Sequence, residues 1–148
     1  MILKTLLIGF GTMSVCLLMQ STLLLVALRY YVRHDTPGTN ASPWSTLLVI
    51  NCVMILLVLG NLAQLTVWAV VFWMLGEFET LGPAVYHSAV NFATLGYGDL
   101  VMSERNRFLG PLEAINGVLM VGVSTAALMA TFQNALKKTI EARKSRRT

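Results

Sequence analysis

Six consecutive residues, Thr94-Leu95-Gly96-Tyr97-Gly98-Asp99, hold the most specific chemistry in this chain. Glycines at alternate positions let a backbone alternate between conformations that other L-residues resist. A chain that alternates in this way can turn successive carbonyl oxygens to one side. Stacked rings of such carbonyls can replace the hydration shell of a potassium ion. Thr94 would add a hydroxyl oxygen at one end, and the Tyr97 ring is large enough to brace the segment from behind. The pattern T-x-G-Y-G-D arises by chance in a chain this long on the order of once in 10,000. No catalytic cluster accompanies it, so the chain does not read as an enzyme. His34 and His87 are far apart, and neither has cysteines or paired carboxylates at metal-ligand spacing. No cofactor is expected beyond the permeant ion.

A segment of this kind needs elements to hold it, and the composition says of what sort. The chain has 148 residues, 55% hydrophobic and 12% charged, against about 25% charged in soluble domains. Three apolar runs are long enough to cross a membrane. The first covers residues 1–28. Lys4 gives it some likeness to a secretory signal, but it is too long and lacks a small-x-small cleavage site, so a retained span is expected. Residues 29–46 break the pattern with Arg29, Arg33, His34, Asp35 and Thr36-Pro37-Gly38-Thr39-Asn40. The second run, 47–75, reaches ~40 Å, longer than the ~30 Å hydrocarbon core. The last run, 111–136, opens on Pro111, which suits a first helical turn. Between these two, residues 82–93 form an apolar stretch too short to span, opened by Pro83. A re-entrant helix is the natural assignment, since non-helical backbone at membrane depth must be buried in protein or line water.

Charge sets the expected topology. The net charge is +4, and six of the eleven basic residues fall in the tail 137–148. A basic tail after an apolar helix marks a cytoplasmic end rather than a nucleic-acid partner, and it suits anionic lipid. With the 29–46 loop also cytoplasmic, the N-terminus and the segment 76–110 lie outside, in a plasma or inner membrane. The first span carries Lys4 and Arg29 at its ends and no ladder of arginines, so no voltage sensor is expected.

The motif and its setting resemble the tetrameric potassium channel family, which uses T-x-G-Y-G-D at this point. The resemblance covers about residues 47–133 and is nearest to the small bacterial two-span channels. It implies an all-α membrane protein: three transmembrane helices, a re-entrant pore helix and a selectivity-filter loop per subunit, in a homotetramer that conducts K+ passively. Residues 47–136 would be the pore domain, with outer helix 47–75, pore helix 82–93, filter 94–99 and inner helix 111–136. The resemblance implies an ion-coordinating set of Thr94, Leu95, Gly96, Tyr97 and Gly98, with carbonyls of the first four in the ion sites. It also implies a hinge at Gly117. The first span is an addition to the two-span plan. Asn91 and Ala93 stand where many members have threonine, and Val90 where some have a buried glutamate. The rival readings are a less selective cation channel of the same fold and a non-conducting regulatory subunit.

Residues at i, i+4 and i+8 lie nearly one above another on a helix. Counted from Gly117, that face carries Val121, Thr125, Met129 and Gln133, the expected cavity lining. A helix descends ~10 Å from His87 to Thr94, and an extended segment climbs back ~15 Å to Asp99. His87 is therefore expected to hold Asp99, as a tryptophan does in the small bacterial channels, and more strongly when protonated. Asn61 and Gln64 share a face and should make interhelical hydrogen bonds. Glu113 reads as a helix-start carboxylate paired with Arg105 or Arg107. Cys16 and Cys52 read as small buried hydrophobes. Gly9, Gly11, Thr12 and Ser14 should mark the packed side of the first span.

Overall fold

The computed structural model describes residues 2–34 and 43–145. They form four helices in chain order: α1 (Ile2–His34), α2 (Pro43–Met74), α3 (Leu81–Phe92) and α4 (Leu109–Ser145). No strand occurs among the described residues. Stretches Ile2–Arg33, Leu47–Met74 and Leu109–Lys137 are long and apolar enough to cross a membrane. α3, at 12 residues, is ~18 Å long and is not.

The expected boundaries move at three places. α1 runs on to His34 instead of ending at residue 28. Its covered stripe, which passes through Thr5, Thr12, Cys16 and Gln20, continues to Ala27 and Tyr31, so packing carries the helix past Arg29. α2 begins at Pro43 rather than 47, with proline at the first helical position, where its missing N–H costs nothing. Of the expected 29–46 loop, the turn residues 35–42 lie outside the described residues. α4 begins two residues before Pro111 and continues into the basic tail to Ser145. A proline within the first turn removes only an N–H that has no helical partner, and Lys, Arg and Glu are strong helix formers. Beyond Lys137, the tail's basic side chains lie outside the described residues.

α1 packs on α2 and α4, while α3 packs on α2 and α4 without touching α1. Two apolar clusters result. One joins Cys16, Trp68, Phe72, Phe92, Leu109 and Met120; the other joins Ala27, Val53 and Leu57, with Ala127 and Leu128 against them. A polar layer lies between them. Gln64 Nε2 donates to Gln20 Oε1 at 2.7 Å, and Gln20 Nε2 donates to Ser124 Oγ at 3.0 Å. Ser124 Oγ in turn donates a long bond, 3.4 Å, to Asn61 Oδ1. Asn61 and Gln64 thus make the interhelical bonds expected of them. On α1, Gly9 and Thr12 are packed, and a Cβ on Gly9 would meet Leu112 Cδ1 at 2.5 Å. Gly11 and Ser14 face away, about 200° and 140° around the helix from Gly9 at 100° per residue. Cys16 is buried as expected, but Cys52 is exposed on α2.

Candidate functional site

The site is built where α3 ends. Leu95 N–H donates to the Val90 carbonyl at 2.9 Å, and Thr94 N–H donates to the Asn91 carbonyl at 2.8 Å. These two bonds form a Schellman motif, whose turning residue sits in the left-handed region and is usually glycine. Here that residue is Thr94, at φ 59°. A β-branched residue pays a steric penalty there and persists only when its surroundings enforce it; such strain clusters at functional positions.

Positive φ then recurs at Gly96 (58°) and Gly98 (74°). Residues 94, 96 and 98 therefore alternate with neighbours of ordinary handedness, the pattern expected of a segment that aims its carbonyls in series. A Cβ on Gly96 or Gly98 would meet nothing within 4 Å of the same chain. Their glycines are required by backbone angle, not by space. Leu95 and Tyr97 expose 54% and 65% of their surface, so the single chain leaves both side chains without cover. An open cleft of about 480 Å³ lies beside the segment, lined in part by His87, Asn91, Thr94, Gly96, Met102 and Arg107.

The carboxylate that follows the segment is held differently from the sequence expectation. Tyr86 Oη donates to Asp99 Oδ2 at 2.8 Å, and this bond holds the Asp99 carboxyl below its usual range. His87 does not make it. Its Nδ1–H donates to the Leu100 carbonyl at 2.9 Å, and Asn91 Nδ2 donates to Nε2 at 2.8 Å. Both ring nitrogens are therefore satisfied in the neutral form. Phe72 and Phe78 pack around the ring with centroids at 5.7 and 5.1 Å. Protonation would add a second donor facing the Asn91 amide, opposite to the stronger hold expected of a charged ring.

Three further anchors fix the surroundings. Glu77, just past α2, accepts from Ser103 N and Oγ at 2.6 and 2.7 Å and from Asn106 Nδ2 at 2.6 Å. Burial alone would raise this carboxyl, but the hydrogen bonds from Ser103 and Asn106 outweigh it and hold it below the usual range. Glu113 is fully buried and contacts Ser88 Oγ of α3, not Arg105 or Arg107. The expected pairing fails because residue 113 sits on the covered face of α4, in line with Asn116 and Met120. Gly117 lies on the same face, where a Cβ would stand 2.1 Å from the Phe92 carbonyl oxygen. It is a point of close helix approach. Val121, Thr125, Met129 and Gln133 are exposed, but so are Leu119 and Val123.

Glu77, Tyr86 and the Ser88–Glu113 contact escaped sequence reasoning. Their partners lie 26, 13 and 25 residues away, and no local pattern announces them.

Residues 62–134 match the family model described as "ion channel". The matched stretch holds the second half of α2, all of α3, the 94–99 segment and most of α4. No curated protein matches the chain, and no solved structure does.

Proposed function

We propose that this chain, whose residues 62–134 match the ion channel family model, is the subunit of a homotetrameric, potassium-selective channel. In this reading α2 is the outer helix, α3 the re-entrant pore helix, Thr94–Asp99 the filter and α4 the inner helix. The carbonyls of Thr94, Leu95, Gly96 and Tyr97 coordinate dehydrated K+, and Gly98 and Asp99 close the filter on the outer side. The single observation that carries the reading is the alternation of positive φ at residues 94, 96 and 98 within T-L-G-Y-G-D. The uncovered Leu95 and Tyr97 side chains support the assembly, since four copies around one axis would enclose both. The basic residues at the C-terminal end of α4 and just past it support a cytoplasmic C-terminus, with the N-terminus and the 94–99 segment toward the outside.

Purified protein in liposomes under mixed K+ and Na+ gradients tests this. A reversal potential near that of K+ is expected, and Gly98→Ala should abolish conduction or selectivity while assembly persists, because its φ of 74° penalises any side chain. A reversal potential midway between the two ions would establish the less selective channel instead. Silence of a well-assembled parent would favour the regulatory subunit.

A further inference from the structure

The Ser88 hydroxyl has one hydrogen and two neighbours that both require it. The Leu65 carbonyl, 2.6 Å from Ser88 Oγ, can only accept. Glu113 Oε1 approaches the same oxygen from α4. An ionised Glu113 could also only accept, and one of the two oxygens would then face a lone pair at contact distance. A carboxylic acid removes the conflict: Glu113 donates its O–H to Ser88 Oγ, and Ser88 donates to the Leu65 carbonyl.

The surroundings agree. Ser88 and Glu113 are both fully buried. The side chains near the carboxyl are neutral: Cys16 from α1 and Ser88 and Asn91 from α3. Glu113 Oε2 makes no hydrogen bond of good geometry, and the further donor beside the carboxyl is a neutral amide, that of Asn91, which also donates to His87 Nε2. A carboxylate without a cation or a set of donors is among the most costly groups to bury.

We infer that Glu113 is a neutral carboxylic acid whose proton fixes α3 against α2 and α4, which makes it a positioning residue for the Thr94–Asp99 segment. Ser88 and Phe92 stand one turn apart on α3, and Glu113 and Gly117 one turn apart on α4. They meet as two rungs, the acid on Ser88 and the glycine on the Phe92 carbonyl. Together the rungs set the direction in which α3 delivers the chain into Thr94. The consequence for conduction rests on the channel reading; the protonation state does not.

Infrared spectra of the parent and of Glu113→Gln in lipid nanodiscs at neutral pH test the protonation state. The parent should show the carbonyl stretch of a protonated carboxylic acid, and Glu113→Gln should lack it. Ser88→Ala, which keeps the acid but removes its acceptor, should shift that band. A parent without the band, or a band unmoved by Ser88→Ala, overturns the inference. In liposomes, Glu113→Gln should conduct within about twofold of the parent, because its amide can donate to Ser88. Glu113→Leu should lose at least about tenfold, the scale of one unsatisfied buried partner. Equal damage from Gln and Leu would overturn the positioning role. A silent parent would remove the channel reading and leave the infrared result standing.

Discussion

Replacing Gly117 with alanine separates two roles that a glycine in this helix can play. The added Cβ would stand 2.1 Å from the Phe92 carbonyl oxygen, 2.9 Å from its carbon and 3.0 Å from its Cα. All three are backbone atoms, so no side-chain rotation relieves the contact. Ordinary contact begins near 3.4 Å, so α4 must part from the end of α3 by about 1.3 Å. Overpacking of this kind costs about 1–3 kcal/mol, and an unyielding backbone puts Gly117→Ala at the upper end. Gly122 is the internal control, because its added Cβ would meet nothing within 4 Å. Gly122→Ala should gain about 1 kcal/mol from helix propensity alone. Because both variants gain the same helix propensity, they should differ by the overpacking cost alone, about 3 kcal/mol per chain in the same helix. Thermal dissociation in detergent measures the difference, with currents recorded from whatever assembles. Gly117→Ala should dissociate at clearly lower temperature than the parent, and Gly122→Ala at the parental temperature or above. If Gly117→Ala assembles with parental stability and differs only in opening kinetics, the close-packing argument is wrong and a pure hinge is right.

Three other perturbations follow from the contacts around the site. Tyr86→Phe removes the hydroxyl that holds Asp99 and should hasten current decline during sustained conduction; His87→Phe keeps that hydroxyl, and equal effects of the two would refute the assignment. The Glu77 carboxyl is depressed in the folded protein, so its contribution is present above the unfolded carboxylate pKa and is lost as external pH falls through the folded value. The protection of the Ser103 amide from hydrogen exchange, corrected for the intrinsic pH dependence of exchange, should fall on such acidification, and Glu77→Gln should blunt the change; a protection factor unchanged by pH in the parent would contradict the clamp. Gln20→Leu breaks the α1–α2–α4 layer and should destabilise the fold by about 0.6–1.7 kcal/mol for each bond lost, measured by thermal dissociation, with K+ over Na+ selectivity unchanged; a change in selectivity would place α1 at the pore.

The sequence made the broad plan readable because its signals are local or compositional. Runs of apolar residues mark three long helices, Pro83 marks the start of α3, and alternate glycines mark the backbone that bends between two handednesses. What stayed hidden depends on rotation about a helix axis. The depth argument for Asp99 found the correct height on α3 but chose His87 over Tyr86. Neighbouring residues differ by only 1.5 Å in height but by 100° in direction, and direction decides which side chain reaches. Glu113 was misread for the same reason. Its place near a helix start suggested loop arginines, whereas its azimuth aims it at Ser88. Gly117 stood out in the sequence, but its contact with the Phe92 carbonyl depends on where two distant helices cross.

The polar layer has a consequence for how the three long helices find their alignment. In lipid, apolar side chains gain little by choosing one helix neighbour over another. α2 has apolar residues on every side, so sliding it by one turn, ~5.4 Å, would exchange one set of aliphatic contacts for another of similar worth. The same slide would carry Gln64 past Gln20 and leave buried amide groups facing hydrocarbon. Gln20, Gln64, Ser124 and Asn61 therefore act as the notches of a key. They allow one longitudinal phase among α1, α2 and α4, much as a single buried asparagine selects one alignment in a coiled coil. Because α1 carries one of the notches, the added helix sets the height at which α4 meets α3, and through it the height of the Thr94–Asp99 segment.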